Sequence, residues 1–178
     1  MWALQLRLGE LGYWLGVPGG IFGAKTEHAV IALQKTAGLE PDGVVDAATW
    51  EALDAGVRPA ARSADGRVVE IDLTTQVLTI VTDGEVEVVL DTSTGRVAGT
   101  TPIGTWSTYR EIDGDRHAPL GLLYRPKYFY GGVAIHGYTS VPTYPASHGC
   151  VRLTYPAMDM IWEQGLVPLG TTVLVHAG

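Results

Sequence analysis

The chain has 178 residues, with 12 Lys and Arg against 19 Asp and Glu and a formal net charge of −7. Apolar residues make up 46% and charged residues 17%, enough to bury a core and too little charge for a disordered chain. The acidic balance and the lack of a basic stripe argue against nucleic acid as a partner, and no run of about 18 apolar residues is present to span a membrane.

The 23 glycines and 10 prolines point to many tight turns, which suits short strands more than long helices. The opening "MWALQLRL" begins inside a helical pattern, without a linker or cap before it. It carries no signal peptide, and the expectation is that an export signal or anchor was trimmed from the front. Residues 1–54 read as helical. Leu4, Leu8 and Leu11 share one face, and Gly12 ends that segment. Ala29, Val30, Leu33 and Ala37 keep the helical period over Ala24–Ala37, with Gly38 as the stop. Asp46 is placed to cap a third short helix carrying Trp50 and Leu53. "GIFGAKT" (Gly20–Thr26) and "GVVDAAT" (Gly43–Thr49) repeat a turn-into-helix pattern, too few copies for a solenoid. Residues 55–66, within "ALDAGVRPAARSADG", read as a linker.

From Arg67 the period changes to two. Val69, Ile71 and Leu73 alternate with Glu70 and Asp72, and "QVLTIVTDGEVEVVL" predicts a hairpin at Asp83-Gly84. "GTWSTYREI" and "GGVAIHG" predict further strands. "TYPAMDMIWEQG" predicts a helix capped by Thr154, with Pro156 in its first turn and Gly165 past its end. "GTTVLVHA" closes the chain as a strand. The expected class is α+β: a small three-helix bundle, then a mostly β sandwich or barrel over 67–178.

Cys150 is the only cysteine and cannot form an internal disulfide. It could be a buried small residue, a metal ligand or a nucleophile. "SHGC" sets polar Ser147, His148 and flexible Gly149 before the thiol, in a constrained loop instead of a strand interior. His136, His148 and Cys150 could offer three metal ligands, but His-x-Cys lacks the paired spacing of zinc sites, and His117 and His176 are isolated. As a nucleophile, a thiol of pKa about 8.5 needs an imidazole to take its proton. A tight Ser-His-Gly-Cys turn aims consecutive backbone N–H groups at one point, the geometry of an oxyanion hole. The base then comes from a neighbouring strand, which favours His136 over His148.

Two resemblances follow from these stretches. "LQLRLGELGYW…GIFGAKTEHAVIALQKTAGLEPDGVVDAATW" resembles the three-helix peptidoglycan-binding domain, over about residues 2–53, and implies binding to wall glycan or stem peptide. The alternative for most of those residues is core and turn packing, with the domain acting as a spacer. "IDLTTQVLTIV", "STG" (Ser93–Gly95), "TPIGTW" (Thr101–Trp106), "AIHG" and "SHGCVRL" resemble the L,D-transpeptidase (YkuD-like) catalytic domain, from about Arg67 to His176.

The second resemblance implies Cys150 as nucleophile, His136 as general base and acid, and the Gly137 carbonyl as the group orienting the His136 ring. It implies an oxyanion hole from the N–H groups of His148, Gly149 and Cys150, with Ser147 as a helper hydroxyl. Arg152 matches a basic position tied to loop structure or substrate carboxylate, with a structural ion pair as its alternative. Tyr130 and Tyr138, with Tyr124, are candidates to line a groove, against core packing for each. The segment from His136 to Cys150 is short for the family, which puts the flap of longer members in doubt. The implied activity is 3→3 cross-linking of peptidoglycan stems through a cysteine acyl-enzyme, with carbapenems acylating the same thiol. Carboxypeptidase action, protein-to-wall attachment, and a non-catalytic wall-binding module with a structural thiol are the alternatives. No metal or cofactor is expected, the partners are wall stem peptides and glycan, and the location is extracytoplasmic, in wall or periplasm.

Overall fold

The computed structural model describes residues 1–119 and 121–178. Three helices come first: α1 (Trp2–Glu10), α2 (Ala24–Ala37) and α3 (Ala47–Asp54). Leu4, Leu8, Leu11, Val30, Leu33 and Leu53 are buried among them, while Trp50 is 38% exposed at the rim. α2 ends on Gly38 in the left-handed region, φ 69°. Asp46 caps α3, its side chain accepting from the Thr49 N–H at 2.8 Å.

The sequence repeat has a structural cause. Gln5 in α1 donates to Ile21 O and Thr26 Oγ1 and accepts from Gly20 N–H. Gln34 in α2 does the same one unit later, to Val44 O and Thr49 Oγ1 and from Gly43 N–H. Both glutamines are 2% exposed. Each satisfies the polar groups of one turn from inside the core, where an unpaired group is costly.

Among the described residues ten strands follow, in two five-stranded sheets. The first sheet has the order β3-β2-β1-β10-β4, from β1 (Arg67–Asp72), β2 (Val77–Thr82), β3 (Glu85–Asp91), β4 (Gly104–Ser107) and β10 (Thr172–His176). The β2–β3 turn puts Asp83 and Gly84 at φ 49° and 83°, the paired positive φ of a type I′ hairpin. Strand alternation gives this sheet two buried faces. Val69, Ile71, Leu78 and Ile80 face the second sheet. Val77, Val81, Val86 and Val89 face the helices and share one apolar cluster with Leu8, Val30 and Leu33.

The segment 55–66 lies against that same side. Arg58 Nη2 donates to Val86 O at 2.6 Å. The N–H groups of Arg62 and Ser63 bond the Glu70 carboxylate. Glu70 is therefore 3% exposed, although the alternation reads it as a solvent position. The connecting segment is a strap on the sheet, with the Arg62 and Ser63 backbone donors used on Glu70.

The second sheet runs β5-β7-β8-β9, with β6 also pairing β7. Its strands are β5 (Arg110–Glu111), β6 (Asp115–Ala118), β7 (Gly121–Tyr130), β8 (Val133–Gly137) and β9 (Val151–Leu153). "GTWSTYREI" forms two strands, one in each sheet. β4 pairs β10, β5 pairs β7, and buried Thr108 bonds Pro168 O and Thr171 at the crossing. β7 is the longest strand, and its pattern is masked in the sequence. Arg125 at φ 50° forms a bulge before Pro126, and the register with β8 shifts there, as bulges and strand prolines do. α4 (Tyr155–Glu163) is capped by Thr154 and buries Met158 and Ile161 in the inter-sheet core.

Candidate active site

β8 and β9 are parallel neighbours, with Ile135 opposite Val151 and His136 opposite Arg152. Ile135, Val151 and Leu153 point into the inter-sheet core. Alternation then sends His136 and Arg152 to the other face. Cys150, one step before Val151, joins them on the wall of one cavity of about 510 Å³. Ser147, His148, Gly149 and Tyr138 line the same cavity.

His136 is 2% exposed. Its Nδ1 is 2.8 Å from the Gly137 carbonyl. A carbonyl only accepts, so Nδ1 carries the hydrogen and Nε2 is left as the acceptor. Burial, with a smaller contribution from nearby Arg152, brings the His136 pKa down to about 4. The ring is neutral at pH 7. Tyr138 meets it edge-on, with ring centroids 5.8 Å apart. Gly137 admits no side chain: a Cβ there would lie 2.7 Å from Tyr124 and 2.8 Å from Tyr155.

Burial pushes the Cys150 thiol up, against weaker opposite effects from a backbone hydrogen bond to Ala134 and the Arg152 charge. Cys150 Sγ lies 3.8 Å from Gly132 O, and among the described residues no hydrogen bond joins it to the His136 ring. Thiol and imidazole are therefore both neutral at rest, on one face of adjacent strands.

The loop before Cys150 is held from inside. Ser147 Oγ donates to Cys150 O at 2.5 Å and accepts from Gly149 N–H at 3.0 Å. The Gly149 N–H, expected as an oxyanion donor, is thus taken within the turn. The N–H groups of His148 and Cys150 make no hydrogen bond among the described residues. Gly149 adopts φ 137°, and its Cα faces Thr100 O so closely that a Cβ would lie 2.6 Å from it. The His148 side chain is exposed, with Nε2 3.2 Å from Arg96 Nη2.

The segment Thr92–Thr101 braces this loop. Arg152 N donates to Ser93 O at 2.9 Å, Ser147 N to Thr94 O at 2.9 Å, and Thr101 Oγ1 to Gly149 O at 2.7 Å. "STG" and the start of "TPIGTW" thus lie beside the loop as its scaffold, with Ser93 O, Thr94 O and Thr101 Oγ1 spent on it.

Arg152 stacks on Tyr138, its guanidinium carbon 4.2 Å from the ring centre. Among the described residues it has no carboxylate partner, so the structural ion pair weighed for it is absent there. Tyr130 lies away from the cavity, 45% exposed and packed on Trp106. A register shift between Tyr128 and Tyr130 separates their facing, and Tyr128 is the tyrosine of β7 on the cavity wall. Tyr124 bonds Asp159 and supports Gly137 from the side.

Sequence reading missed Arg110 of β5 and Arg116 of β6, which also line the cavity. The outer wall is the β6–β7 hairpin, through Ala118, Pro119, Leu122 and Leu123.

Residues 66–175 match the family described as "L,D-transpeptidase catalytic domain". Residues 3–53 match the family described as "Putative peptidoglycan binding domain". Among solved structures, an L,D-transpeptidase of Xylanimonas cellulosilytica is 47% identical, with 98% of this chain and 91% of that one covered and a TM-score of 0.94. One from Stackebrandtia nassauensis is 24% identical over 97% of this chain and 88% of that one, TM-score 0.62, a likeness of fold. A curated relative described as "Probable N-acetylmuramoyl-L-alanine amidase", from Bacillus licheniformis, is 43% identical over 60 residues, and the chain spans 17% of its length. The match over 66–175 and the near full-length likeness at 47% identity make this chain a member of the L,D-transpeptidase family.

Proposed function

We propose that the chain forms 3→3 cross-links in peptidoglycan through an acyl-enzyme on Cys150. The observation that carries this reading is the placement of Cys150, buried neutral His136 and the open N–H groups of the Ser147–Cys150 turn on one cavity. His136 Nε2 takes the Sγ proton as sulfur attacks the carbonyl carbon of stem residue 3. The oxyanion collects against the N–H groups of Cys150 and His148. The C–N bond to D-alanine then breaks, and the Nε2 proton goes to the departing amine. The resulting thioester is attacked by the side-chain amine of a second stem. That amine loses its proton to Nε2, and the proton returns to sulfur as the thioester opens. The Gly137 carbonyl keeps the ring in the tautomer this sequence needs. The three-helix part is a wall-binding unit in this reading, and the site of action is outside the cytoplasm.

The test is incubation with a tetrapeptide muropeptide, read by product mass. A dimer with loss of D-alanine is the expected result. A tripeptide alone would make the enzyme a carboxypeptidase. Neither product, together with no carbapenem adduct on native protein or an adduct that survives Cys150→Ala, would overturn the reading.

A further inference from the structure

Three arginines, Arg110, Arg116 and Arg152, line the catalytic cavity, and no Asp or Glu is among its described lining residues. The protein as a whole carries −7, so this cationic cavity runs against the bulk charge. The cations just outside it are treated differently. Lys127 pairs with Glu111 at 2.6 Å, and Arg125 with Asp113 and Asp159 at 2.8 and 2.9 Å. Among the described residues, the three cavity arginines have no carboxylate partner. Arg110 lies over the Tyr128 ring at 5.2 Å, as Arg152 lies over Tyr138. A guanidinium resting on an aromatic face keeps its N–H edge for a planar anion.

β5 and β6 both pair with β7, Arg110 opposite Tyr128 and Arg116 opposite Leu123. The two side chains therefore reach the cavity from a different part of the sheet than the Cys150 loop. We infer that Arg110 and Arg116 are specificity determinants that bind a carboxylate of the donor stem, so that a stem bearing a free carboxylate on its diamino residue is taken over its amidated form. This rests on the proposed donor for the stem chemistry, but the charge selectivity of the cavity can be read without it. An exposed cation alone is worth little in water. Arg110 and Arg116 are both exposed, and two unpaired cations on one concave wall add their fields within it.

Two measurements on the full chain test this. The first is the rate of Cys150 alkylation by anionic iodoacetate relative to neutral iodoacetamide, a ratio in which changes of general thiol access cancel. Arg110→Gln with Arg116→Gln should lower that ratio by about tenfold at low salt, and the paired Lys variants should keep most of it. The second is kcat/KM for a tetrapeptide donor with a free carboxylate on residue 3 against its carboxamide. The free acid should be favoured by about tenfold or more, mainly through KM, and the double Gln variant should bring the preference near one. An unchanged alkylation ratio overturns the inference, as does equal use of acid and amide by the native enzyme. No turnover of either donor, with the alkylation ratio still lowered by the Gln pair, would instead count against the proposed reaction and leave the arginines as an anion site.

Discussion

Lys35 Nζ lies 2.5 Å from Asp91 Oδ1, and the two side chains are 3% and 1% exposed. The pair joins helix α2 to the end of β3. Lys35 also donates to Gln76 O and Thr92 O, and His28 Nδ1 approaches the other Asp91 oxygen at 2.6 Å. Asp91 directly precedes the Thr92–Thr101 segment that braces the Ser147–Cys150 turn. The helical part is thus tied, through one buried carboxylate, to the scaffold of the thiol.

Removing one member of this pair leaves a buried charge without its partner. Burial already lowers the Lys35 pKa, outweighing the attraction of Asp91. Lys35→Met should cost about 3 kcal/mol in stability, and Lys35→Met with Asp91→Leu should recover part of it. Urea unfolding of the two singles and the double gives the cycle. Additive costs would mean that the contact carries no coupling.

Deletion of residues 1–54 should not leave an intact catalytic part. It would uncover Val77, Val81, Val86 and Val89 and strand Asp91. The truncated chain should bind a hydrophobic dye and show a lower urea midpoint than the full chain. An unchanged midpoint would contradict the shared core.

The buried His136 makes stability fall in mild acid. Its folded pKa, about 4, lies below the unfolded value near 6.5, so the unfolded chain binds more protons between them. The contribution is complete above about pH 6.5 and is lost as pH falls through 4, up to about 3 kcal/mol. His176 is lowered by its own burial and adds in the same direction. His136→Gln should flatten the stability profile between pH 7.5 and 4. Parallel profiles for the two proteins would reject this.

The histidines should separate by function. His136→Ala should abolish carbapenem acylation, while His148→Ala should retain much of it, because the His148 ring faces Arg96 at the surface. Loss in the His148 variant alone would reverse the assignment of the base. Iodoacetamide alkylation of native Cys150 should keep rising with pH beyond 9, since burial raises the thiol.

Gly149→Ala tests the turn itself. A Cβ there meets Thr100 O at 2.6 Å from a backbone at φ 137°. The strain is of order 1–3 kcal/mol, and it falls on the N–H groups proposed for the oxyanion. Acylation should drop by about a hundredfold with the fold retained by circular dichroism. Near-native acylation would remove the turn from the mechanism.

Local chemistry made much of this protein legible from its residues. Helical period, Asp46 and Thr154 caps, the Asp83-Gly84 hairpin and the strand alternation around Val69 and Ile71 depend on neighbours in the chain, and each stands where it was read. His136 and Cys150 could be paired because Gly149 and the "VAIHG" pattern suggested a turn beside a strand. Tertiary structure decided the rest. Glu70 and Asp91 look like surface acids until a strap and a helix cover them. β7 is hidden by the bulge at Arg125 and Pro126, which breaks the alternation. Gly149 N–H is lost to Ser147 Oγ because the turn closes on itself. Arg110 and Arg116 become part of the cavity only when β5 and β6 pair with one strand, since no local signal tells a surface arginine with a partner from one left facing a cavity.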